Sequence, residues 1–77
     1  MSQELTDFQN TVNALTVAQK TELSAVSRRV MDSANLRSAE ARADVARLKE
    51  LAGPAGGRSA RQHAKSAYKF VNRFKKY

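Results

Sequence analysis

The chain has 77 residues, no cysteine, one histidine and a formal net charge of +7. That composition excludes disulfide staples, thiolate metal sites and a histidine-built metal centre, and no run of about 18 apolar residues is present to span a bilayer. A chain this short buries a modest fraction of its surface when it folds alone, so its core needs partners or very regular packing.

The opening stretch MSQELTDFQN has no basic segment followed by an apolar core. No secretory signal is expected, and synthesis is expected to be cytoplasmic. Thr6 stands three residues before Gln9, the spacing of a capping box, and Asp7 would then face the positive end of the helix dipole. Ser2 is a competing cap. From residue 3 to residue 52 there is no Gly and no Pro, and Ala, Leu, Glu, Gln, Arg and Lys abound, all good helix formers. Apolar side chains recur every eleven residues: Val12, Leu15 and Gln19, then Leu23, Val26 and Val30, then Ala34, Arg37 and Ala41, then Val45, Leu48 and Ala52. Gln19 and Arg37 are the polar exceptions. Leu5 and Phe8 extend the stripe, and Met31 and Leu36 widen it.

An eleven-residue period corresponds to ~3.67 residues per turn, close to a straight helix. The pattern therefore predicts an all-α protein built on one long amphipathic, coiled-coil-like helix over residues 3–52. Such a helix would be about 70 Å long. That is too long for a monomeric globule, so the stripe of Val12, Leu15, Leu23, Val26, Val30, Val45 and Leu48 is expected to pack against other chains, as an oligomer or on a larger assembly. One stretch opposes continuity. MDSANLRSAE gathers Asp32, Ser33, Asn35 and Ser38, side chains that cap and turn more readily than they continue a helix. The alternative is a hairpin, with one helix over about 3–31 and a second over about 36–52.

Gly53 follows the periodic run and Pro54 follows Gly53, a strong stop signal. Residues 53–57, GPAGG, read as a hinge between a neutral segment, 1–52, and a basic one, 58–77. The neutral segment holds seven Lys or Arg against seven Asp or Glu, so the whole charge excess lies beyond Glu50. Ser59 and Gln62 form a second capping-box pattern, which predicts a helix from Ser59 to about Lys75.

On that helix Arg61, Lys65, Lys69 and Arg73 are spaced by four and form one stripe, with Arg58 and Lys76 near the same side. Ala60, Ala64, Ala67, Val71 and Phe74 form the opposite side, with Phe70 and Tyr77 at its border. Like charges four apart repel by about 0.2–0.5 kcal/mol per pair, and Arg58 and Arg61 sit at the positive end of the dipole. This arrangement points to a negative partner for the stripe, with Val71 and Phe74 holding the helix from behind. Tyr68 lies beside the stripe, placed to pack or to touch a ligand. His63, with no second His and no Cys, reads as a partly exposed helix residue.

No nucleophile–base pair, Gly-rich phosphate loop or carboxylate pocket is legible, and no cofactor or metal is expected. Glu40 and Asp44, one turn apart among arginines, read as surface ion pairs. The expected function is non-enzymatic: a structural or assembly protein, of the kind found as small virion or scaffold-type components, docking its basic helix on an anionic partner. Its expected partners are copies of itself or a larger protein assembly, such as a viral particle. Sequence-independent nucleic-acid binding is the alternative, since clustered Lys and Arg suffice to neutralise phosphates. A membrane-surface helix ranks last, because that apolar face is mostly Ala.

Overall fold

Thr16 and Gln19 end the expectation of a single long helix. In the computed structural model, which describes residues 3–73 and side chains from Thr6 onward, the Thr16 side chain accepts from the Gln19 amide at 3.1 Å while Gln19 Oε1 accepts from the Thr16 amide at 2.9 Å. That reciprocal pair is a capping box, and it starts a new helix where the eleven-residue pattern runs straight on. The described residues form four helices: α1 (Gln3–Asn13), α2 (Val17–Asp32), α3 (Ala39–Ala52) and α4 (Ala60–Arg73). No strand occurs among the described residues.

The second break lies in the cap-rich stretch that suggested a hairpin. Ser33 ends α2, with its backbone N–H donating to the Val30 carbonyl. Asn35 Oδ1 accepts from the Arg37 amide at 2.9 Å, and the Ser33 and Ser38 hydroxyls both donate to the Asn35 carbonyl. Ser38 then caps α3 by accepting from the Ala41 amide. These short polar side chains satisfy the backbone groups that two helix ends expose, so the turn forms without Gly or Pro. The two polar exceptions in the repeat thus sit at the two breaks: Gln19 belongs to the cap of α2 and Arg37 to the turn before α3.

The first expected cap is also corrected. Thr6 lies inside α1, whose first residue is Gln3; Ser2 is outside the described residues. The stop after Ala52 is as expected. Gly53 adopts φ +83, where a Cβ would be strained, and its N–H donates to the Lys49 carbonyl. Ser59 and Gln62 form the second capping box at the start of α4.

Broken into four pieces, the stripe folds on itself. Phe8 and Val12 of α1, Leu23, Val26 and Val30 of α2, Leu48, Leu51 and Ala52 of α3, and Ala64, Ala67 and Val71 of α4 make one buried cluster. Leu15, Met31, Leu36, Val45, Ala60 and Phe70 pack against its edges. The chain measures 32 × 28 × 17 Å, with no dimension approaching the length of a fifty-residue helix. Its radius of gyration of 11.8 Å matches the ~11.5 Å of a compact single domain of this length. Residues expected to bury themselves against other chains therefore bury themselves within this one. Among the described residues Val17 is the large hydrophobic side chain that stays widely exposed, at 82%. No described helix is long and apolar enough to cross a membrane.

α2 and α3 run antiparallel, joined by Arg47, which donates twice to Glu22 at 2.7 Å, and by Arg29, which donates to Asp44 at 3.2 Å. The Arg47 guanidinium holds the Glu22 carboxyl below its ordinary range. α4 packs chiefly against α2, also antiparallel, since Arg61 near its start reaches the Ser33 carbonyl at the end of α2.

Candidate anion-binding face

Three turns of sequence decide which way α4 faces. Ala64, Ala67 and Val71 are buried and Ala60 packs beside them, so the small-residue side meets α2. His63 and Phe70 fall on one flank, against α1. Phe8 lies 5.6 Å from the His63 ring centroid and 5.8 Å from that of Phe70, both tilted. These are ordinary separations for aromatic packing.

His63 is fully buried, contrary to the expectation of a partly exposed residue. Its Nε2–H donates to the Gly53 carbonyl at 2.9 Å. Burial pushes its pKa below the ordinary value, an effect that the Gly53 carbonyl opposes and that nearby Arg58 and Lys49 reinforce. The neutral ring therefore ties α4 to the end of α3. The expected hinge, residues 53–57, is fastened at Gly53 by this bond and at Ala55, whose carbonyl accepts from Arg58 Nε at 3.4 Å.

The basic residues divide into two kinds. Arg58 lies 5.5 Å over the Phe8 ring and also donates to the Ser66 hydroxyl at 3.3 Å. Its charge is engaged in holding α1, the 53–57 turn and α4 together. Arg61 donates to the Ser33 carbonyl at 2.7 Å, placing a cation at the negative end of the α2 dipole. Both were expected to face a partner; each also makes a contact within the fold. The remaining members, Lys65, Lys69 and Arg73, are exposed and make no ion pair or hydrogen bond with a described residue. Lys76 and Phe74 lie outside the described residues.

On the neutral helices the opposite holds for Arg28, Arg29 and Arg47. They pair with Asp32, with Asp44, and with Glu22 and Glu50 respectively. The exposed side of α4 therefore differs from α2 and α3 in kind: it presents cations and amides, and α4 contains no carboxylate. Gln62, Lys65, Lys69 and Arg73 are exposed along it, with Tyr68 and Asn72 half-buried at its rim.

The sequence-expected packing residues sit as follows. Val12, Leu23, Val26, Val30, Leu48 and Val71 are buried inside the chain, and Leu15 and Val45 are half-buried at the cluster's edge. The roles of Arg58, Arg61 and His63 were missed because their partners are backbone carbonyls and a ring on another helix. The only signal available for Arg61 was its position in the first turn of α4, where a cation is unfavourable unless something else compensates it.

Comparison of the chain with protein-family models, with curated proteins and with solved structures finds no match. The functional reading rests on the residues themselves.

Proposed function

We propose that this chain is a non-enzymatic docking protein, a small structural component of a larger assembly such as a virion or scaffold, that seats the outer face of α4 on an anionic partner. The observation that carries this reading is that α4 contains no carboxylate beside its exposed cations, whereas α3, which also exposes Arg42 and Lys49, intersperses Glu40, Asp44 and Glu50 among its own. Three arginines on α2 and α3 are matched to carboxylates within the chain. Lys65, Lys69 and Arg73 stand one turn apart on an exposed helix face without such a match among the described residues.

Each successive pair of those cations destabilises the helix by ~0.2–0.5 kcal/mol. A sequence under pressure for stability alone would place Glu among them, as it does on α3. An anionic surface relieves the repulsion and gains charge-assisted hydrogen bonds. Self-association through the apolar stripe no longer forms part of this reading, because the stripe is used in the chain's own core.

The test replaces Lys65 and Lys69 together by Gln and measures binding to duplex DNA, oligo(dT) and poly-glutamate, with melting temperature as a control for folding. The double variant should melt like the parent and bind every polyanion that the parent binds less tightly. Unchanged binding throughout would leave the face as solvated charge and remove the proposal.

A further inference from the structure

Tyr68 is the one described residue on α4 whose aromatic ring takes no part in the ring packing around Phe8. Phe70 and His63 both contact Phe8, on the flank facing α1. Tyr68 lies on the other flank, half-buried, and its side chain makes no ring contact or hydrogen bond with a described residue. Lys65 precedes it by three residues and Asn72 follows it by four, so both border the ring along the helix. Asn72 is held there, its Nδ2 donating to the Tyr68 carbonyl at 2.8 Å. Tyr68, Lys69, Asn72 and Arg73 line a shallow depression in the surface.

We propose that this seam is a nucleobase-stacking site, and that the anionic partner of α4 is single-stranded nucleic acid. The inference rests on the docking role of α4 and specifies its occupant. An acidic protein surface would use Lys65, Lys69 and Arg73 but has no need of an aromatic ring beside them. A duplex offers phosphates but keeps its bases stacked on one another. A single strand offers both: phosphates for the three cations and unstacked bases for the ring. Cationic grooves interleaved with aromatic side chains are how sequence-tolerant single-strand binders work. The Asn72 side chain, fixed by its bond to the Tyr68 carbonyl, keeps Oδ1 at the edge of the site as an acceptor for a base amine.

The experiment compares two polymers of equal charge, an oligo(dT) of about 16 nucleotides and the abasic sugar-phosphate chain of the same length. Fluorescence anisotropy of the labelled polymers reports binding. Tyr68→Leu should weaken oligo(dT) binding by about 5- to 150-fold, the value of a stacked base, and leave the abasic polymer unaffected. Tyr68→Phe, which keeps the ring face, should bind oligo(dT) like the parent. A second readout avoids any folding defect in the Leu variant. With Tyr77 replaced by Phe, Tyr68 is the remaining tyrosine of two, and its fluorescence should be quenched by oligo(dT) but not by the abasic polymer.

Equal quenching by both polymers, or an unchanged affinity for oligo(dT) in Tyr68→Leu, would overturn the stacking site. If Lys65→Gln/Lys69→Gln still weakened binding in that case, the docking face would stand without it. Tighter binding to poly-glutamate than to oligo(dT) would also overturn the inference and assign the face to an acidic protein.

Discussion

Residue identity alone separates poorly the cations that build this protein from those it presents. Arg58, Arg61, Lys65 and Lys69 fall on neighbouring positions of one helical wheel, and their charges are equal. What distinguishes them is what stands opposite: the Phe8 ring, the Ser33 carbonyl, or solvent. None of those partners is legible in a one-dimensional pattern, which is why the sequence located the charge but not the division of labour. His63 makes the same point and yields a prediction. Its ring is buried neutral, with its pKa below the ordinary 6.5. The unfolded chain therefore takes up the proton first as pH falls. Stability present above about pH 6.5 should decline as pH drops below it, until the folded form is protonated as well. His63 is the chain's one histidine, so few other groups titrate between about pH 5 and 7. Thermal melts across that range should show a falling melting temperature for the parent. The His63→Gln variant should start lower, having lost the Nε2–Gly53 bond, and stay flatter. An equally steep decline in the variant would mean that His63 is not the group responsible.

At the scale of the helices, the Gly–Pro stop and the Ser59 cap were readable, the turn over the cap-rich stretch stood as an alternative, and the Thr16 cap went unread. Gly53 and Pro54 end α3 where expected, and Ser59 with Gln62 opens α4. The break before α2 was hidden because Thr16 and Gln19 sit inside an eleven-residue repeat that continues unbroken on both sides. Periodicity records which side of a helix is apolar, not whether the helix is one piece. A short loop that preserves the phase leaves no trace in it, apart from the polar residue that the cap requires. The cap has a measurable weight. Thr16→Ala removes the acceptor for the Gln19 amide and should lower stability by about 1 kcal/mol. Thr16→Ser, which keeps the hydroxyl, should lose much less. Equal denaturation midpoints for all three proteins would show that α2 needs no cap there, and that the break between Asn13 and Val17 has another cause.

For the molecule as a whole, the helical class was legible, and the way the core closes was not. A stripe long enough for a coiled coil is also long enough to be folded twice and buried on itself. The choice between the two depends on turns, which carry little weight in a count of apolar residues. Among the described residues, most large apolar side chains are buried, and α4 presents exposed cations with no carboxylate on its own helix. That contrast supports a protein that works by presenting a surface. The direct measurement is the salt dependence of its affinity for oligo(dT), compared between the parent and Lys65→Gln/Lys69→Gln. Each phosphate neutralised on a single strand contributes about 0.7 to the slope of log affinity against log salt. The parent should show a linear dependence, and the double variant a slope shallower by about 1.4. Two superimposable lines would contradict it, because the lysines would then meet no phosphate at all.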